Sequence, residues 1–386
     1  MARVLEFLVS IVIVFVLAVL VGVLLPAHGH IERTIEVSSP LRQIYDSINT
    51  FRRFPEWSAQ RKFDPQTQMT FEGAPEGEGA KVSWTSAVPQ VGDGSMTITK
   101  SEQDSKITMA LENPWSGENK TYTVTLIPAQ NGKTVTINWA YDADYGWNLI
   151  WRYAGLYIHG DPATQIQLNL SNIAAMLATF PNVDYKDQQI DITDVTARPV
   201  LLVATKAKRS LDEVAEATDN AMKEIEAAMK KTGLNPAGPR MTITTNWGEE
   251  EYAFSVAQPV DATTFTLDKQ DYTIETPTPN PSATDTDEEE EPQELKAGDK
   301  DPQGMLVVDG NVRAALWYQG KALVTEHTGS PAQLPLLRLM LKAYAETHGF
   351  PYAEMGEGRF WDEVTSAPDV PEDEQTFRVY LPVQVQ

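Results

Sequence analysis

The sequence predicts an α+β chain with three parts. These are an N-terminal transmembrane helix, an antiparallel sheet domain closed by a long helix, and a duplicated βαββ domain with an acidic disordered insertion. Three observations predict it. Nineteen residues near the N-terminus, Phe7 to Leu25, carry no charge; residues 80–140 alternate with period two; and the order strand, helix, Gly-turn, strand, strand occurs twice after residue 198.

A length of 386 residues suits two or three domains. Thirty-one Lys+Arg against 54 Asp+Glu leave a net charge of −23, which repels phosphate backbones, so no nucleic-acid partner is expected. The chain has no Cys, which excludes disulfides, thiolate metal sites and a cysteine nucleophile. No cofactor is expected.

The run FLVSIVIVFVLAVLVGVLL lies between Glu6 and Pro26 and covers about 29 Å as a helix, roughly one hydrocarbon core. Residues 1–30 therefore read as a membrane anchor that meets the bilayer through residues 7–25. A cleaved leader ending at Ala27-His28-Gly29 competes with that reading, although the run is longer than the usual leader core. Arg3 and the terminal amine place the N-terminus inside. In a bacterium this gives a single-pass inner-membrane protein with its body in the periplasm.

The first soluble domain is expected over residues 31–180. A strand from Ile31 to Val37 leads to Ser38-Ser39-Pro40, a helix start with a capping Ser, and a short helix to Phe51. Val82, Trp84, Met96, Ile98, Ile107, Met109, Leu111, Tyr122, Val124, Leu126, Val135, Ile137 and Trp139 then fall on one sheet face, with threonines on the other. Asn131-Gly132 marks a hairpin. The stripe Ile166, Leu170, Ile173, Ala174 and Leu177 makes the closing helix one-sided, and the apolar sheet face is its partner.

This order, with Arg52-Arg53-Phe54-Pro55-Glu56-Trp57-Ser58 after the first helix and Gly92-Asp93-Gly94 before a strand, resembles the START-like superfamily of polyketide cyclases and dehydrases (SRPBCC). The resemblance implies a hydrophobic cavity between sheet and helix for lipids, polyketides or other apolar molecules. Trp84, Met96, Met109, Tyr122 and Trp139 are its candidate lining, and plain core packing is the competing account of each.

The second domain is expected over residues 187–386. Its first half runs Pro199–Ala204, a helix from about Leu211 to Lys231, Gly233 to Pro239, and strands ending Gln258-Pro259-Val260. Its second half runs Val312–Tyr318, a helix from about Ala332 to Thr347, Gly349 to Ala353, and strands ending Leu381-Pro382-Val383. A βαββ unit cannot bury its helix-facing sheet alone, so two copies are expected to pair about a pseudo-dyad.

The arrangement is similar to the gyrase-inhibitor-like, AraC-type effector-binding domain, with Trp317-Tyr318-Gln319-Gly320 and Phe377 to Val383 at its turn and closing strand. The resemblance implies a cleft for amphipathic or cationic molecules, with Trp317, Tyr318, Trp361, Glu363, Arg378 and Tyr380 as candidate ligand contacts. Arg378 stands where that family commonly has an acidic residue, which favours an anionic ligand group. Asp362 and Glu363 either supply negative charge or are solvated strand-end carboxylates.

Residues 268–303 hold twelve Asp+Glu against three Lys and include Asp287 to Glu291, the composition of a mobile loop. They lack the ligand spacing of a calcium loop.

No phosphate-binding glycine loop, dinucleotide fingerprint, His-Glu-x-x-His or nucleophile elbow occurs. No metal site is expected, since His28 and His30 are two ligands at most, while His159, His327 and His348 lie far apart. Glu326-His327 reads as an exposed loop pair or as an acid-base candidate. With no catalytic residue assigned, the reading is an envelope protein that binds small hydrophobic or amphipathic molecules. An enzyme acting on such molecules and an interaction module with self-filled cavities are the rivals.

Overall fold

The structure, a computed structural model, describes the chain except residues 1, 131, 249, 279–294, 353–359, 368–369, 372–373 and 386. Asn131, the Asp287–Glu291 run and Ala353 thus fall outside the described residues. Two compact units result, Met1–Lys186 with Glu346–Gly349, and Asp187–Ala345 with Phe350–Gln386.

The first unit begins with α1 (Ala2–Leu24), long and apolar enough to cross a bilayer and exposed along most of its length. Then follow β1 (His28–Val37), α2 (Leu41–Asn49), α3 (Phe54–Trp57) and α4 (Gln60–Phe63). The strands β2 (Gln68–Gly73), β3 (Ala80–Thr85), β4 (Gly94–Glu102), β5 (Lys106–Glu112), β6 (Glu118–Pro128) and β7 (Val135–Asp144) come next. α5 (Leu149–Ala154), a 3-10 turn (Gly155–Tyr157) and α6 (Asp161–Leu177) close the unit.

All seven strands form one antiparallel sheet, in the order β1-β7-β6-β5-β4-β3-β2. Strict alternation along β5, β6 and β7 buries one face, against which α6 packs through Ile166, Leu170, Ile173 and Leu177. Each such side chain, once fully buried, contributes about 1.5–3 kcal/mol. The expected serine cap of α2 is not formed. Pro40 holds the N-cap position and no side chain bonds the helix end.

The glycine pair before β4 has a steric reason. Gly92 sits at φ +61°, and a Cβ on Gly94 would lie 2.5 Å from the Glu112 carbonyl oxygen and 2.5 Å from the Trp84 ring. Only a residue without a side chain lets Trp84 lie flat on that strand.

The second unit contains β8 (Asp191–Val195), β9 (Arg198–Lys208), α7 (Leu211–Thr232), β10 (Met241–Trp247) and β11 (Glu251–Pro259). It continues with β12 (Thr264–Leu267), β13 (Gln270–Thr273), β14 (Leu306–Asp309), β15 (Val312–Trp317) and β16 (Gly320–Thr328). A 3-10 turn (Pro331–Gln333), α8 (Leu334–His348), β17 (Trp361–Val364) and β18 (Thr376–Pro382) complete it.

Nine strands make one sheet, in the order β14-β15-β9-β11-β10-β17-β18-β16-β8. Around the β10–β17 pair this order is symmetric, with β9-β11-β10 on one side and β17-β18-β16 on the other. The halves are therefore β9-α7-β10-β11 and β16-α8-β17-β18. This corrects the expected start of the second half: Val312–Trp317 pairs with β9 of the first half, and Gly320–Thr328 is the strand that leads into α8.

The acidic segment is also more regular at its ends than expected. Its residues 270–273 pair with β12, Ile274 is buried, and Gly298 and Asp299 bond the backbone of Val307.

Helix α7 has defined ends. Ser210 Oγ accepts the Glu213 N–H at 3.3 Å, acids occupy the first turn, Lys230 and Lys231 the last, and Gly233 at φ +75° closes it. Ser210→Ala is expected to cost about 1 kcal/mol, read as a lower urea midpoint of the second unit.

Candidate functional site: a cleft in the second unit

Alternation divides the nine-stranded sheet into two faces. Leu201, Val203, Tyr252, Phe254, Val256 and Val312 face α7, while Leu323, Phe377, Val379 and Leu381 face α8. Val200, Leu202, Met241, Ile243, Ala257 and Trp361 turn to the opposite face. Between α7 and α8, over the β10–β17 seam, lies a cleft of about 580 Å³. That volume suits a small organic ligand.

Its walls come from Leu211, Val214 and Ala215 on α7, and from Leu334 and Pro335 on α8. Thr242, Tyr252, Asp362, Val364 and Phe377 form the floor.

The floor carries a buried ion pair. Arg338 Nη2 donates to Asp362 Oδ1 at 2.7 Å and Oδ2 at 2.9 Å, and its Nε to Oδ1 at 3.2 Å. Nη2 also reaches the Tyr252 hydroxyl, an acceptor at 3.3 Å, and the guanidinium lies over the Tyr252 ring at 5.7 Å. Burial pushes the Asp362 carboxyl up, with Arg338 pulling it down; burial likewise raises the Tyr252 phenol. With Arg209, Arg240 and Asp219 also in the wall, the described residues of the lining include three arginines and two aspartates.

Of the residues singled out from the sequence, Asp362 lies on this floor, and the candidate ligand contacts lie elsewhere. Trp317, Tyr318, Trp361 and Tyr380 gather on the face away from the helices, with Trp361 stacked on Tyr380 at 4.7 Å and edge-on to Trp317 at 6.0 Å. Glu363 lies beside them. It accepts from the Trp361 indole at 3.2 Å and forms an ion pair with Arg198. Asp362 and Glu363 are thus both buried and paired rather than solvated strand ends. Arg378 is exposed and pairs with Glu326 at 3.0 Å. Glu326 and His327 belong to β16 rather than to a loop.

In the first unit Trp84, Met96, Met109, Tyr122 and Trp139 all join one buried cluster. Trp57 packs at its centre, 5.7 Å from Trp139 and 4.8 Å from Phe54, and Tyr122 lies 5.4 Å from Trp139. Burial drives the Tyr122 phenol far above its usual range. The indole N–H groups of Trp57, Trp84 and Trp139 find no acceptor among the described residues. His28 and His30 bond Asp144 and Asp142 across the β1–β7 ladder, at 2.6 and 2.7 Å. No cluster of three metal-ligating side chains occurs among the described residues.

Sequence reasoning named Asp362 on the floor of the cleft but missed its partners Arg338 and Tyr252. One signal was present: Arg338 interrupts the leucine stripe Leu334, Leu337, Leu341, and a cation on the buried face of a helix needs an anion there.

No protein-family model and no curated protein matches the chain. Among solved structures it is similar to the C-terminal domain of EcmrR, with 11% identity over 51% of this chain and 98% of that one, at a TM-score of 0.35. It is also similar to norcoclaurine synthase from Thalictrum flavum, with 10% identity over 39% and 94% of the two chains and a TM-score of 0.32. A third likeness is to EcmrR in a complex with DNA, with 12% identity over 61% and 71% and a TM-score of 0.36. Such identities and scores carry no chemistry across.

One of these structures is a complex with DNA, a finding that stands against the expectation of no nucleic-acid partner, and that expectation is withdrawn. Its physical fault is plain. A net charge sums the whole chain, and twelve acids and three lysines of that sum lie in residues 268–303 alone, so the sum does not fix the sign of any one patch.

Proposed function

We propose that this chain is a membrane-anchored binding protein for small amphipathic molecules bearing an anionic group. It combines a START-like unit with a gyrase-inhibitor-like effector-binding unit and holds its body on the periplasmic side. The observation that carries the reading is the cleft of about 580 Å³ with apolar walls and Arg209, Arg240 and Arg338 among its described lining residues. Apolar walls supply affinity, and a few converging polar groups fix orientation. Arg338, held by Asp362 and Tyr252, is oriented before any guest arrives, so little ordering cost remains on binding. The anchor, α1, tethers the chain to the bilayer, where molecules that partition into lipid collect.

A second location is favoured by one observation. The acceptor-less indole groups of Trp57, Trp84 and Trp139 offer donors to a guest carbonyl inside the first unit.

Val214→Trp fills the cleft and separates the two locations. The full chain in nanodiscs is expected to yield a co-purifying acidic amphiphile by native mass spectrometry, absent from Val214→Trp. Retention in the variant places the guest in the first unit, and no bound compound in either protein refutes the binding reading.

A further inference from the structure

We propose that the segment from Tyr145 to Gly160 is a second, interfacial membrane contact, which lays α5 and the following turn into the headgroup region of the bilayer beside α1. The proposal rests on the reading of α1 as an anchor.

Sequence supplies the first part of the argument. These sixteen residues contain no Asp or Glu, in a chain with 54, and include two of its nine Trp. Their charged side chain, Arg152, points inward.

Packing supplies the second. α5 is fastened to the end of α1. Arg152 Nη1 donates to the carbonyls of Val23 at 2.8 Å and Leu25 at 3.2 Å, two of the acceptors a helix end leaves open. The Tyr153 hydroxyl donates to the Ala18 carbonyl at 2.6 Å. The helices meet at Gly22, where a Cβ would lie 3.2 Å from the Tyr153 ring and 3.3 Å from Leu149 Cβ. Ala18 is six residues before the end of α1, about 9 Å along its axis. Tyr153 therefore lies at a depth that lipid reaches if α1 spans, and donors to the carbonyls of the last turn are what a low-dielectric setting requires.

Exposure supplies the third. Trp147 is 83% exposed, Ile150 79%, Tyr157 77% and Leu156 56%. This is an outward set of aromatic and aliphatic side chains at the place where a bilayer around α1 would begin. Trp and Tyr favour that zone, where the ring is apolar and the polar tip stays wet.

The absence of Cys makes the test direct, because one introduced thiol carries the only label. The full chain is reconstituted into phosphatidylcholine vesicles with an environment-sensitive fluorophore at one of three positions. Val14→Cys reports on the anchor, Ile150→Cys on the proposed contact, and Gln130→Cys on the far end of the β6–β7 hairpin. With nitroxide-labelled lipid, emission is expected to fall about two-fold or more at positions 14 and 150 and to stay unchanged at 130. Quenching at 14 without quenching at 150 overturns the contact and leaves the anchor standing. No quenching at 14 overturns both.

Discussion

Arg338→Met is expected to destabilise the second unit by about 3–5 kcal/mol, because it strands the Asp362 carboxylate in a buried site. Asp362 is 3% exposed and takes three hydrogen bonds from that one guanidinium. In calorimetry of the full chain the transition of the second unit should move down by about 10 °C. The double variant Arg338→Met with Asp362→Leu should recover most of the loss, since no ion is then left unpaired. A single variant that loses under about 1 kcal/mol would mean that water reaches the pair and that the cleft floor is wet.

Trp57→Ala is expected to cost the first unit about 3–5 kcal/mol. This indole is fully buried and stands edge-on to Phe54 and Trp139, so its removal opens a cavity between sheet and helix that neither ring can fill without leaving its rotamer. Trp147→Ala is the matched comparison. Its ring is exposed and touches the Arg152 guanidinium at 5.2 Å, so its removal should change stability by no more than about 0.5–1 kcal/mol. Equal losses in the two variants would show that packing around Trp57 is slack.

The two variants also separate what local pattern reveals from what it hides. Period-two alternation placed Trp84, Met109, Tyr122 and Trp139 on the buried face of the first sheet, and the stripe of α6 was legible for the same reason. Trp57 lies in a four-residue helix with no period to read, so nothing local announces that it fills the centre. In the second unit, two neighbouring apolar runs, Val312–Trp317 and Gly320–Thr328, both read as strands. Which of them opens the second half depends on pairing with β9 or β18, residues far away in the chain.

The cleft was hidden more deeply. Trp361 and Glu363 drew attention as an aromatic and an acid side by side, yet the strand alternation sends them to one face and Asp362 to the other. Only the sheet decides which face α8 covers.

The seam between β10 and β17 has a mechanical consequence. Its ladder pairs Met241 with Glu363, Thr242 with Asp362 and Ile243 with Trp361, and backbone bonds from Thr244 N–H to the Phe360 carbonyl and from Val364 N–H to the Arg240 carbonyl extend it. On one side of the sheet the Arg198–Glu363 pair straddles it, and on the other the bond from Arg338 to Tyr252 does. Spreading the helices to admit a bulkier guest would unzip those rungs and tear both rivets together. For a guest bound as proposed, the seam would hold the aperture to one width, and selection by girth would be built into the backbone itself.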